Sequence, residues 1–261
     1  MSESLLGVNE KVAIVTGGGG NIGSATVRML AQAGARVVVA DLDAADADSS
    51  ASAALALGGE AVAVQVDTRR IADIDRMVQT ALDTWGRLDI GVNIVGGGST
   101  DTLILDTPDS VWDDVIELNL HSTVRCSRAY ARAMIAHDCA GSIINIASPA
   151  GLRAAPTMAA YGAAKAAIIN FTWTLAVELA EHRIRANVVV PAFVTRPGMV
   201  WGGSPEQQDA LAKKVVPMGR VTKAEDVAGA ILCFASDLTG YSTGQIIVCD
   251  GGRLLTNPIF A

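Results

Sequence analysis

Short β-branched runs alternate with longer amphipathic segments along the whole chain, and this alternation constrains the fold more than any other feature. The runs are Val12–Thr16, Arg36–Ala40, Ala61–Val66, Asp89–Val95, Ser142–Ala147, Ile184–Val190 and Gln245–Val248. Helical candidates lie between them, near 22–33, 44–57, 71–85, 108–136, 158–181 and 224–235. Strands joined by helices of this length form right-handed βαβ crossovers, so the expected class is α/β, a parallel sheet covered on both faces. No internal repeat and no linker interrupts the pattern, which predicts one domain over 1–261. The long strandless segment 192–223 carries Pro197, Gly198, Gly202, Gly203 and Pro205. A loop of that length in a compact domain is expected to be a substrate lid.

Composition narrows the partners. Half of the 261 residues are apolar, enough for a large aliphatic core and too many for a disordered chain. The balance of 27 acidic against 20 basic residues, with no basic block, argues against nucleic acid or an anionic membrane as partner. Cys126, Cys139, Cys233 and Cys249 form no CxxC pair and have no histidine cluster nearby, which predicts reduced thiols and no metal site. The start MSESLLGVNEK lacks the bases of a signal peptide, and the apolar stretch 162–180 contains Lys165 and Glu178. A soluble, cytoplasmic protein is expected.

Thr16-Gly17-Gly18-Gly19-Gly20-Asn21-Ile22-Gly23 follows the first strand and opens a helix. Glycines there let the backbone approach a pyrophosphate, and the helix N-terminus offers N–H groups to it, although four glycines also suit a plain turn. Asp41 ends the second strand 18 residues beyond Gly23. Its carboxylate can accept from adenosine ribose hydroxyls and repel a 2′-phosphate, or cap the next helix. Neither Gly18 nor Leu42 brings the positive charge that a 2′-phosphate needs. Asp67 closes the third strand, as acceptor for an adenine amino group or as a loop cap. Asn93-Ile94-Val95-Gly96 ends the fourth strand, where glycine lets the chain pass close to a ligand.

Tyr161 and Lys165, four apart on a helical segment, share a face. A tyrosine of pKa ~10 is a poor base near neutrality, but a close ammonium favours the phenolate. Lowering that pKa by ~3 units takes ~4 kcal/mol, which a charge partner in a partly dry cleft can supply. Ser148 ends the fifth strand and can hydrogen-bond either a substrate oxygen or the local backbone.

With these residues together the chain resembles the short-chain dehydrogenase/reductase family, NAD-dependent branch, from about Lys11 to Gly252. The matching positions are Thr16–Gly23, Asp41, Asp67, Asn93–Gly96, Asn119, Ser148, Tyr161, Lys165, Asn187-x-x-x-Pro191, Thr195 and the closing Tyr241-x-Thr243-Gly244 with Asp250-Gly251-Gly252. The resemblance implies a seven-stranded, doubly wound Rossmann-type sheet and hydride transfer between NAD(H) and an alcohol or ketone. It assigns Tyr161 as general acid/base, Ser148 as holder of the reacting oxygen, Lys165 to the nicotinamide ribose and Asn119, at a break in the 108–136 helical stretch, to a water that relays the proton. Cofactor contacts would come from Gly17, Gly19, Gly20, Asn21, Ile22, Asp41, Leu42, Asp67, Thr68, Asn93, Gly96, Tyr161, Lys165, Pro191, Val194 and Thr195. A homotetramer built through the 108–136 and 158–181 helices is also implied.

Three positions depart from the family pattern. Asn21 replaces a loop glycine, Ile94 a second asparagine and Ala192 the glycine after the sixth strand; none removes a catalytic group. The substrate pocket is expected from Ser99, Pro149, Ala150, Met158, Phe193, Met199 and Trp201. This lining is largely apolar, with Arg153 and Arg196 read as surface residues. It suits a neutral, moderately hydrophobic secondary alcohol or ketone. Two other functions stay open at this stage: an NADPH-dependent 3-oxoacyl-type reductase and a non-catalytic dinucleotide sensor. The apolar end of the tail, Ile259 and Phe260, is expected to pack against a neighbouring subunit.

Overall fold

A computed structural model describes residues 5–98, 102–192, 194 and 203–256. Seven strands form one parallel sheet: β1 (Val12–Thr16), β2 (Arg36–Asp41), β3 (Glu60–Gln65), β4 (Ile90–Asn93), β5 (Ser142–Ile146), β6 (Arg185–Pro191) and β7 (Ile246–Cys249). Their spatial order is β3-β2-β1-β4-β5-β6-β7, so the winding reverses between β1 and β4. Register places Thr16 opposite Asn93 there, and the carboxyl ends of the two strands diverge into a crevice. The doubly wound sheet expected from the sequence is the fold observed.

The helices are α1 (Asn21–Gln32), α2 (Ala44–Ala56), α3 (Ile71–Trp85), α4 (Asp109–Ile116), α5 (Ser122–Ala136), α6 (Ala159–Glu178), α7 (Pro205–Val215) and α8 (Ala224–Ala235). Side chains alternate across each strand, so β1 sends Ala13 and Val15 to one face and Val12 and Ile14 to the other. The first face packs with Val27 and Leu30 of α1 and Ile231 and Phe234 of α8. The second packs with Met77 of α3 and Tyr130 and Met134 of α5. All of these are buried, and at ~1.5–3 kcal/mol each they anchor the sheet between its helical layers. Among the described residues no helix is long and apolar enough to cross a membrane.

Three elements differ from the sequence expectation. The fourth strand stops at Asn93 rather than Val95, because the chain leaves the sheet for the Gly96–Gly98 bend. The 108–136 stretch is two helices joined by a π turn at Glu117–His121. The 192–223 segment is not all loop, since it contains α7. Ser204 caps that helix: its Oγ accepts from the Gln207 N–H at 3.4 Å, and the Gln207 side chain accepts from the Ser204 N–H at 2.7 Å. This reciprocal capping box, with Pro205 at the first helical position, is a start signal that the sequence carries openly.

Candidate active site

A cleft of about 570 Å³ opens at the carboxyl ends of the central strands. Gly17, Gly20, Asn21, Ile22 and Gly23 line it, together with Asp41, Leu42, Asp67, Thr68, Gly96, Tyr161, Lys165, Pro191 and Val194. Val66, Arg69, Ile94, Val95, Leu118, Ile146 and Ala147 complete the wall, and of these Val66, Arg69, Leu118, Ile146 and Ala147 were not expected at the site from the sequence. Ser99, Phe193, Thr195, Arg196, Met199 and Trp201 lie outside the described residues, as does the tail from 257.

The glycine loop packs tightly beneath α1. A Cβ on Gly23 would stand 1.9 Å from the Gly17 carbonyl oxygen, so only glycine lets the loop close onto the helix start. The α1 N-terminus has no side-chain cap and no acidic residue in its first turn. Uncapped N–H groups and the positive end of the helix dipole then face the cleft, which fits the phosphates of a dinucleotide. Asp41 is not the cap of α2; Asp43 is, accepting from Ala45 and Asp46. The Asp41 carboxylate instead ties the loop down, with Oδ2 accepting from the Gly19 N–H at 2.9 Å and Oδ1 from the Asp43 N–H at 3.2 Å.

The opposite end of the cleft is built on α6. Lys165 is only 2% exposed, and its Nζ donates to the Ile146 carbonyl at 3.1 Å. Burial pulls its pKa down to about 8. The ammonium stands 5.5 Å from the centroid of the Tyr161 ring. A Cβ on Gly96 would lie 2.6 Å from Asn119 Oδ1 and 2.8 Å from Lys165 Nζ, so glycine there makes room for the polar groups of α6 and the π turn.

Ser148 begins a single helical turn over Pro149–Gly151, its Oγ accepting from the Ala150 N–H at 3.3 Å. That turn packs directly on α6, where a Cβ on Gly162 would stand 2.9 Å from the Ala150 carbonyl oxygen and one on Gly151 2.6 Å from the Lys165 carbonyl carbon; Ser148, Pro149, Ala150 and Met158 are each partly buried and do not line the cleft.

Three expected site residues are committed elsewhere: Gly19, which does not line the cleft and gives its N–H to Asp41 Oδ2, Asn93 and Asn119. Asn93 does not line the cleft. Its Nδ2 donates to Ser127 Oγ at 2.9 Å and to Asn145 Oδ1 at 2.8 Å, and Asn145 Nδ2 reaches Thr172 Oγ1 at 2.9 Å. This buried network joins β4, β5, α5 and α6 beneath the site, so Asn93 shapes the site from below rather than touching a cofactor through its side chain. Asn119 is fully buried, and its amide is saturated as a donor. Nδ2 donates to the Gly97 carbonyl at 2.9 Å and the Val115 carbonyl at 2.8 Å, while Oδ1 accepts from the Gly97 N–H at 3.1 Å. The side chain therefore staples the Gly96–Gly98 bend to the π turn. Its main-chain carbonyl accepts from Thr123 Oγ1 at 2.7 Å. The bond to Val115, four residues back, takes an acceptor from the helical ladder and accounts for the π turn.

The family model described as enoyl-(acyl carrier protein) reductase matches residues 18–253. The short-chain reductase NovJ of Streptomyces niveus is 37% identical over 250 residues, covering 94% of each chain. The 3-oxoacyl-[acyl-carrier-protein] reductase of Synechocystis sp. is 36% identical over 252 residues, or 94% of this chain and 97% of that one. The structure of carveol dehydrogenase from Mycobacterium avium in complex with NAD superposes with a TM-score of 0.91 at 27% identity, covering 95% of this chain and 99% of that one. Together with the cleft at the winding reversal, these likenesses establish the chain as an oxidoreductase that uses a nicotinamide dinucleotide, a member of the short-chain dehydrogenase/reductase family.

Proposed function

We propose that the protein transfers hydride between NAD(H) and a neutral, moderately hydrophobic secondary alcohol or ketone. The observation that carries this reading is the Tyr161–Lys165 pair in the cleft, with a buried ammonium 5.5 Å from the phenol ring. A bound nicotinamide supplies the hydride acceptor or donor. Tyr161 takes the hydroxyl proton in the oxidative direction and returns it in the reductive one. Lys165 places a positive charge beside the phenol, which favours the phenolate. Ser148 holds the reacting oxygen through its hydroxyl, and the Asn119 carbonyl holds the water that passes the proton outward.

Asp41 supports NAD over NADP, because its carboxylate would repel a 2′-phosphate while Leu42 offers no cation. The NAD complex of the carveol dehydrogenase relative agrees with this choice. Likeness to the 3-oxoacyl-[acyl-carrier-protein] reductase supports the second reading, an NADPH-dependent reductase of acyl thioesters. Cofactor and substrate assays separate them: the first reading expects turnover of an alcohol panel with NAD, and a clear NADPH preference with thioesters overturns it. Tyr161→Phe is expected to lower kcat by about 10³ while NADH affinity stays within about twofold. A variant that keeps wild-type rates overturns the proton-transfer assignment, whereas dinucleotide binding with no turnover of any substrate favours the sensor.

The 192–223 segment serves as the lid over the substrate end, with α7 as its rigid part. A homotetramer is supported by α6, whose outer stripe of Ala163, Ala166, Trp173 and Val177 is exposed in the single chain. A cytoplasmic setting suits the four free cysteines.

A further inference from the structure

Arg69 follows the third strand, in the wall of the cleft beside Asp67 and Thr68. Asp67 Oδ1 accepts from the Arg69 N–H at 3.0 Å and from Arg69 Nε at 2.9 Å, and Oδ2 accepts from Arg69 Nη2 at 2.8 Å. The turn beneath is fixed as well. The Asp67 N–H donates to Asp73 Oδ2 at 3.1 Å, and the Arg70 N–H donates to the Asp67 carbonyl at 2.9 Å. From behind, Arg125 Nη1 donates to the Arg69 carbonyl at 3.1 Å, and Arg125 is itself paired with Glu117 on the π turn. Both ends of Arg69 are therefore held, one by the residue in the cleft and the other by α5.

A carboxylate offers about four lone-pair sites, and three on Asp67 are taken. The open site is on Oδ2. A guanidinium fork fixes the plane of the carboxylate it grips, which a point charge does not. We infer that Arg69 is a positioning residue that aims the remaining Asp67 lone pair at the 6-amino group of the dinucleotide's adenine, making the site selective for a 6-amino over a 6-oxo purine. The amino group donates to that lone pair, whereas a 6-oxo group turns an acceptor toward a carboxylate that has no proton to give. The Arg69 guanidinium also holds the Asp67 carboxyl below the usual carboxylate range, so Asp67 stays an acceptor.

This inference rests on the dinucleotide reading of the cleft, and the test separates the two without needing a substrate. Fluorescence titration of the full chain compares NADH with its hypoxanthine analogue, and the corresponding 2′-phosphorylated pair. Wild type is expected to bind the amino form about tenfold more tightly than the oxo form, the worth of one charge-assisted hydrogen bond. Arg69→Met is expected to bring that ratio to about twofold or less with an unchanged melting transition, and Arg69→Lys to fall between. A ratio near one in wild type overturns the inference and leaves dinucleotide binding standing. So does an Arg69→Met variant that weakens both analogues equally, which marks a purely structural ion pair. Tighter binding of NADPH than NADH that Arg69→Met abolishes makes Arg69 a phosphate ligand and overturns it too. Failure to bind any of the four overturns both readings.

Discussion

Lys165 illustrates how far one buried group sets the behaviour of the site. Its pKa of about 8 lies below the ordinary lysine value of 10.5 because burial penalises the ammonium. Below pH ~8 the folded and unfolded chains both carry the proton, and the fold bears the full cost of burying it. Between about 8 and 10.5 the unfolded chain still holds a proton that the folded one has released, so stability rises with pH through that window. Lys165→Met is expected to be at least as stable as wild type at pH 7 and to lose that rise, while kcat drops by about 10² or more. Thermal melts at pH 7 and pH 9, set beside turnover, check both. Asp41 carries a second prediction. Replacing it by alanine removes a negative charge but also frees the Gly19 N–H that Oδ2 holds at 2.9 Å. Asp41→Asn with Leu42→Arg keeps an acceptor for that N–H and adds a phosphate partner. The pair is expected to shift the NADPH-to-NADH affinity ratio by more than about tenfold, with less loss of overall affinity than the alanine version. Titration of both double variants decides.

At the scale of elements, the Asn119 staple predicts a coupled loss. Asn119→Ala strips three hydrogen bonds, two from the half-buried Gly97 backbone and one from the buried Val115 carbonyl, at an expected cost of about 1–3 kcal/mol in chemical denaturation, and loosens the Gly96–Gly98 bend. An unchanged denaturation midpoint would show that the bend is held by other means. The same residue shows what the sequence made legible. Strands, crossovers and the position of Asp41 at the end of β2 could be read directly, because period and spacing encode them locally, whereas Gly96 and Ser148 lie past the ends of β4 and β5. The commitments of Asn93 and Asn119 could not. The partners of Asn93 are Ser127 and Asn145, 34 and 52 residues away on other elements, and no local pattern reports them. A break at Asn119 was implied by the family resemblance, but its π form was not legible, because one side chain bonding four residues back leaves the hydrophobic periodicity of 108–136 intact. The α7 helix was hidden differently. Its capping box was present, but the surrounding glycines and prolines outweighed it.

For the whole molecule, the exposed stripe on α6 is the feature most at odds with a lone chain. Trp173 is 44% exposed and Val177 78%, on a helix whose opposite side is fully packed. Trp173→Glu with Val177→Glu is expected to dissociate the proposed assembly, seen as a fall in sedimentation coefficient, without unfolding the protomer. The winding reversal has a different consequence, for how the chain first finds its shape. Thr16 pairs with Asn93 across an interval of 77 residues, so the crevice does not exist until a distant strand has docked. Closing so long an interval is slow, and the first three strands can assemble earlier from nearer contacts. A dinucleotide consequently has nothing to grip in the early chain: it is expected to leave the refolding rate unchanged and to slow unfolding, holding the finished protein shut rather than guiding its birth.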